Sequence, residues 1–382
     1  MKILIAPDSF KGTLSALEAA RAIEAGIHHV MPDAVTQCLP LADGGEGTLD
    51  ALLFAAQGER KTAQVTDANG VQVNASYAVL NDAQGAIALL EAAQVVGLHQ
   101  AHIEVADRNT QGLGELIRHC LDQGLRRFLI GLGGSSTNDG GAGLLFALGV
   151  KFFNAAGKSI TPSLRGLVAL HHVDFSALDT RLAACEITAL TDVDNMLCGP
   201  AGATTVFGPQ KGVLPKQVAT FDTTLAHLAR LCDAWADSTV SQQAGAGAAG
   251  GLGYALMLLG AKRRSGAEAV CEMVQLDSAL RDADWLITGE GQSDAQTLHG
   301  KLPLVAAQYA DAAHVPALLL SGSIAAEHCN LLAQKFVACF SVAGEGVTQA
   351  AALSEPARWL VARSEAVAKW LLAYSSDESK AE

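Results

Sequence analysis

Both ends of this 382-residue chain carry the same strand–helix rhythm, and that repetition limits the possible folds more than any other feature. At the start, the short apolar run Lys2 to Ala6 reads as a buried parallel strand. Leu14, Leu17, Ile23 and Ile27 come next at near-helical spacing, with Ser15 placed as a cap. Val35 to Leu41 predicts a second strand and Thr48 to Ala56 a second helix. At the far end Trp285 to Thr288, Ala317 to Leu320 and Phe336 to Val342 predict three more strands, with helices over about 302–313 and 356–374. Two strands and three make five, the strand number of a flavodoxin-like parallel sheet.

The middle differs in texture. Thr66 to Gly70 lies between alternating segments within Val65 to Leu80, a hairpin signal, and Ala86 to Glu91 predicts another strand. The expected architecture is therefore α/β: a discontinuous flavodoxin-like domain from residues 1–65 and 281–382, interrupted by an inserted α/β domain with a mixed sheet at 66–280. One continuous α/β sheet is the competing arrangement.

A chain that is 50% apolar and 17% charged can bury two such cores. Its net charge of −13 argues against nucleic acid and against polybasic membrane contact, leaving small molecules as partners. The eight Cys show no Cys-x-x-Cys and no zinc spacing, so they read as reduced thiols. The first eight residues hold too short an apolar run for a signal peptide, no stretch of about 18 apolar residues occurs, and the expected location is the cytoplasm. Ser375 to Glu382 reads as a frayed polar tail.

Within the middle region, Phe128-Leu129-Ile130 runs into GLGGSSTNDGGAG at 131–143, and Leu144-Leu145-Phe146 comes after it. A strand feeding a Gly/hydroxyl loop that opens a helix gathers main-chain N–H groups around an anion, and phosphate is the expected ligand. A Walker A motif is absent. A glycine turn used only for close packing is the alternative.

Ligands of parallel α/β sheets sit beyond the carboxyl ends of strands, where acids recur in this chain. Asp8 follows KILIAP, Asp43 follows CLPLA, Asp192 and Asp194 follow ITALT, and Glu290 follows WLITG and precedes Asp294. The i, i+2 pair Asp192/Asp194 has the oxygen chemistry of a Mg2+ shell, although each Asp alone also reads as a helix cap. Lys11, Lys211 and Lys301 each adjoin a glycine, as a phosphate clamp requires, and each alone also reads as a solvated surface residue. Together the acids and lysines point to phosphoryl transfer by positioning and charge neutralisation. A formal Gly-x-Gly-x-x-Gly at 245, 247 and 250 lacks the preceding strand of a dinucleotide fingerprint.

In order, APDSFKGTLSA at 6–16, LADGGEGTLDAL at 41–52, GGSSTNDGGAG at 133–143, TDVDN at 191–195, GPQKG at 208–212, GAGAAGGLG at 245–253, GEGQSD at 289–294 and HGK at 299–301 resemble the type-1 glycerate kinase family over nearly the whole chain. The resemblance implies phosphorylation of D-glycerate by ATP with Mg2+, on a flavodoxin-like domain interrupted by one with a restriction-enzyme-like fold. By motif match it carries over Asp8, Lys11, Asp43, Ser135, Ser136, Asn138, Asp139, Asp192, Asp194, Lys211, Glu290, Asp294 and Lys301, with Gly134 in the phosphate loop. Asp192 leads Asp8 and Asp294 as general base, Asp192 and Asp194 are the metal candidates, and Lys11 joins the catalytic set. The substrates are expected to meet between the domains.

Two departures accompany the match. Met196 stands where similar sequences often have Pro, and the stretch before Gly112 is short, which weakens a substrate role for Arg108. The product is 2-phosphoglycerate or 3-phosphoglycerate, since a small change of pose exchanges the hydroxyls. The competing functions are a nicotinamide-dependent oxidoreductase of a small hydroxy acid and a non-catalytic sugar-acid or nucleotide-binding protein.

Overall fold

The structure, a computed structural model, describes residues 1–56, 58–295, 297–344 and 346–378. It divides into two compact units. The first comprises residues 1–43, 50–56 and 267–382, the second 44–49 and 57–266. The joins thus fall at 57 and 267, where the sequence pattern puts them at 66 and 281.

In the first unit the apolar runs at both ends of the chain pair side by side. Lys2–Ile5 lies between Val35–Cys38 and Trp285–Thr288, and Ala317–Ser321 and Ala338–Ser341 complete the sheet, every pair parallel. Numbered along the chain, the strands run 2-1-3-4-5, the flavodoxin-like order. Ile3 faces Trp285 in register, and Ile3, Ile5, Ile287, Leu318 and Leu320 are buried because helices cover both faces of such a sheet. Helix Ala16–Val30 starts at Ser15 with a reciprocal capping box: Ser15 Oγ accepts from Glu18 N–H at 3.2 Å, and Glu18 Oε2 accepts from Ser15 N–H at 2.9 Å. The last helix, Pro356–Glu378, runs one turn beyond the expected Tyr374, so Ser375 to Glu378 are helical rather than frayed; residues 379–382 lie outside the described residues.

The second unit holds a six-stranded sheet. Lys262–Arg264, Glu186–Leu190, Arg127–Gly131 and Gly85–Glu91 are parallel, and Gln72–Asp82 and Gly58–Thr66 continue it antiparallel. The hairpin turns where expected because the Asp67 carboxylate accepts from the N–H groups of Asn69 and Val71, both at 2.8 Å. Its first strand starts at Gly58, earlier than the pattern indicates, since Gly58 to Arg60 are exposed and carry no apolar alternation. Helix Gln111–Asp122 buries Leu113, Leu116 and Ile117 against Phe128 and Ile130 in the core of this unit. Among the described residues, no helix is long and apolar enough to cross a membrane.

Candidate active site

In the first unit, strands one and three are neighbours from which the chain leaves in opposite directions, and a crevice opens at such a reversal. Main-chain bonds from Ala6 N–H to Ile287 O and from Asp8 N–H to Gly289 O, both 2.8 Å, extend the pairing and set Asp8 and Glu290 at the ends of these two strands. They line a pocket of about 320 Å³ with Lys11, Asp294, Lys301 and an apolar wall that includes Phe10, Val342 and Leu353.

Asp8 is buried at 4% exposure and accepts from Ser9 N–H at 2.6 Å. Burial first, and then the neighbouring Asp43 carboxylate, push its proton affinity well above the ordinary aspartate value, against the pull of Lys11. Lys11 Nζ lies 3.0 Å from Asp43 Oδ2 with most of its side chain in solvent. Burial of its charge is outweighed by Asp43 and Asp8, so the ammonium holds its proton more tightly than usual. Glu290 Oε1 accepts from Ser293 Oγ at 2.9 Å and Thr297 Oγ1 at 2.6 Å, and Ser293 Oγ meets Ser321 Oγ at 2.7 Å. Burial raises the Glu290 carboxyl while these hydroxyls and Lys301 restrain the rise. The sequence pattern alone does not single out Ser293, Thr297 and Ser321; their signal is a hydroxyl just past a strand end.

The second unit carries the glycine loop between strand Arg127–Gly131 and helix Ala142–Ala147. Here the chain supplies its own anion. Asp139, fully buried, accepts from Gly141 N–H at 3.1 Å, Gly143 N–H at 3.0 Å, Thr110 N–H at 2.9 Å and Thr110 Oγ1 at 2.8 Å. The Gly141 and Gly143 N–H groups at the opening of the helix, expected to meet phosphate, donate to Asp139 instead, which caps them. Ser136 is likewise buried, with its N–H and Oγ both on Val96 O, at 2.8 and 2.9 Å, and Asn138 donates to Thr204 Oγ1 at 2.9 Å. These three residues hold the loop's shape and do not line the pocket beside it.

Gly133, Gly134 and Ser135 do line one, a pocket of about 270 Å³ with Lys211, Thr191, Gln210 and an apolar wall that includes Leu132, Val193 and Phe207. Gly134 sits at φ +75°, a conformation that disfavours a Cβ. Lys211 is 4% exposed, its Nζ donating to Thr137 O at 2.8 Å and Ser135 Oγ at 3.1 Å. Burial pulls this amine down to about 7, partly offset by Asp139 and reinforced by Arg108.

The paired-acid metal site expected at Asp192 and Asp194 needs correction. Asp194 is paired with the Arg263 guanidinium, while Asp192 Oδ1 accepts from Gly266 N–H at 2.9 Å, so the two acids do not form a ready two-carboxylate site. Among the described residues, no group of three or more His, Cys, Asp or Glu is arranged to hold a metal ion. Arg108 is buried and gives its hydrogen bonds to the main-chain oxygens of Ile103, Ser136 and Lys211, leaving no fork for a substrate carboxylate. In the Gly245 to Gly253 run a Cβ on Gly250 would lie 2.0 Å from Thr137 O, Ala249 lines the second unit's pocket, and the segment leads into helix Leu252–Leu258 rather than out of a strand.

Carboxylates and lysines gathered at the switch point of a doubly wound sheet define an α/β enzyme of small-molecule substrates. Residues 3–372 match the model of the glycerate kinase family. The chain is 43% identical over 346 residues to the glycerate kinase of Bacillus subtilis, covering 90% of each, and 43% identical over 328 residues to the glycerate 2-kinase of Escherichia coli, covering 85% of this chain and 86% of that one. A crystal structure from Salmonella typhimurium LT2, described as a candidate glycerate kinase 2, superposes with a TM-score of 0.81 at 42% identity, covering 98% of this chain and 99% of that one. The chain belongs to the glycerate kinase family, and is thereby an ATP-dependent kinase acting on a small organic acid. The oxidoreductase and non-catalytic readings are set aside.

Proposed function

We propose that this enzyme transfers the γ-phosphoryl group of ATP to D-glycerate, giving 2-phosphoglycerate and ADP in the cytoplasm. The observation that carries the mechanism is Asp8: a buried carboxylate at the switch point, its proton affinity raised by burial and Asp43, with Lys11 beside it. A general base works best with a proton affinity raised toward the operating pH, the direction in which burial moves Asp8. The hydroxyl oxygen of glycerate forms a bond to the γ-phosphorus as the bond to the bridging oxygen of ADP breaks, and the hydroxyl proton passes to Asp8. Lys11 and Lys301 supply the positive charge beside Asp8, with Asp43 holding Lys11.

In the second unit, Lys211 and the main chain at Gly134 and Ser135 take the triphosphate, and the apolar wall near Phe207 takes the adenine. Asp192, beside Thr191 and Val193 of the pocket wall, would be the carboxylate to hold a Mg2+ ion, which would supply charge neutralisation of the triphosphate.

ADP release coupled to D-glycerate addition, followed by NMR of the product, tests the reading. A phosphate on the 2-hydroxyl is expected, one on the 3-hydroxyl reverses the pose, and no ADP overturns the assignment.

A further inference from the structure

Arg108 takes no part in the chemistry proposed for either pocket, yet it is a buried guanidinium whose hydrogen bonds reach three separate segments. Its Nε and Nη2 donate to Ile103 O at 2.8 and 2.6 Å, and its Nη1 donates to Ser136 O at 3.2 Å and Lys211 O at 2.9 Å. Ser136 belongs to the glycine loop, and Lys211 to the short helical turn Pro209–Lys211. All of these acceptors are neutral carbonyls, so a cation has been taken out of water with no carboxylate among its hydrogen-bond acceptors, and the cost of that burial is offset only by the four bonds it donates.

We propose that Arg108 is a positioning residue, tying the glycine loop to the Lys211 turn so that the Lys211 amine is held at the wall of the second pocket, ready for the anionic chain of the nucleotide. The inference rests on the assignment of that pocket to ATP. Two sets of bonds share the work: Arg108 fixes the main chain of residue 211, and Thr137 O with Ser135 Oγ fixes its amine, so the side chain is held at both ends. The charged groups that act on this amine are Asp139, which favours its protonation, and Arg108, which opposes it. Triphosphate would add a strong anion and favour protonation further.

The test uses the full chain and two readouts. The first is reaction of the Lys211 amine with acetic anhydride between pH 6 and 10, followed by mass spectrometry, which needs no nucleotide. Replacing Arg108 by Met removes an opposing charge, so the pH at which the amine becomes reactive is expected to rise in R108M, and its reactivity to change as the turn is released. A profile unchanged from the parent overturns the proposal.

The second readout is the pair of KM values. R108M is expected to raise KM for ATP about tenfold, in line with loss of a charged hydrogen bond, with KM for glycerate within about twofold. The double variant R108M/K211M should be no worse than K211M. Equal loss for both substrates, or fully additive loss, means that Arg108 only supports the fold. If R108M does not fold, R108K replaces it: one ammonium cannot span three carbonyls, so the labelling profile must still differ. Should K211M leave KM for ATP unchanged, the nucleotide assignment fails, while the labelling result still decides whether Arg108 sets the lysine.

Discussion

Each of the two pockets contains a lysine that precedes a glycine, and the two lysines behave as opposites. Lys11 has 64% of its side chain exposed and an aspartate at 3.0 Å, and holds its proton tightly. Lys211 is buried against a hydroxyl and a carbonyl, and its amine is pulled down to about 7. In the first pocket the cation makes a crowd of carboxylates tolerable, one of which is left eager for a proton. In the second, a buried amine lies against a carbonyl and a hydroxyl, and burial makes its charge costly. In the proposed mechanism the same dipeptide serves acid–base chemistry in one unit and ligand charge in the other, and the surroundings decide which.

The strongest way to break this contrast is Asp8→Asn. Loss of the base is expected to lower kcat roughly 10³-fold, within the usual range for such groups. The melting temperature should hold or rise at neutral pH. Because the folded state raises this carboxyl above its unfolded value, its protonated form is the favoured one, and ionised Asp8 costs stability as pH climbs through the folded value. A kcat within tenfold of the parent returns the base to Asp192 or Asp294.

Lys211→Met comes next, with KM for ATP rising about 10- to 100-fold, the cost of a charged hydrogen bond in a dry site. Here too the fold should gain. The folded amine sits at about 7 against an ordinary 10.5, so the parent loses stability as pH falls from the second value toward the first, and the variant does not. Thermal melts at pH 7 and pH 10 check the sign: a stability gain that does not shrink at pH 10 contradicts it.

Asp192→Asn is expected to act more gently, raising the Mg2+ needed for half-maximal rate about tenfold, the lower end of losses around metal sites. A fall in kcat of roughly 10² or more that persists at saturating Mg2+ would instead mark Asp192 as part of the transition state.

The smallest effect belongs to Asp43→Asn, a partner in an ion pair whose lysine is largely exposed, with a stability change of about 1 kcal/mol or less. Removing its charge relieves Asp8, so the acid limb of the pH–rate profile should move to lower pH. A limb that stays in place means Asp8 is not the group seen in the profile.

The strand ends were readable because a parallel strand buried on both faces must be a short apolar run, and the residues just beyond it must be polar. The Ser15–Glu18 box was readable because its two halves are three residues apart. Asp139 was not. Its partners Thr110, Gly141 and Gly143 come from two segments, and nothing local separates a glycine loop that cradles a phosphate from one that cradles its own carboxylate. The arginine that ties residues 103, 136 and 211 is hidden for the same reason, since its acceptors are main-chain oxygens that carry no sequence signature. The antiparallel edge strand begins in exposed polar residues, where packing has no pattern to impose.

The order of the strands also dictates an order of assembly. Ile3 finds its partner at Trp285, 282 positions later, whereas the second unit's material is complete once residue 266 has been made. On a ribosome, the unit encoded in the middle can close first, and the first two strands must wait with one sheet edge open until the third emerges. The long wait exposes an apolar edge in the nascent chain, and the already folded middle shortens the span that must then be closed. Cutting the chain by circular permutation at the exposed turn at residues 83–84 would make the first unit continuous and split the second, reversing which unit is born whole.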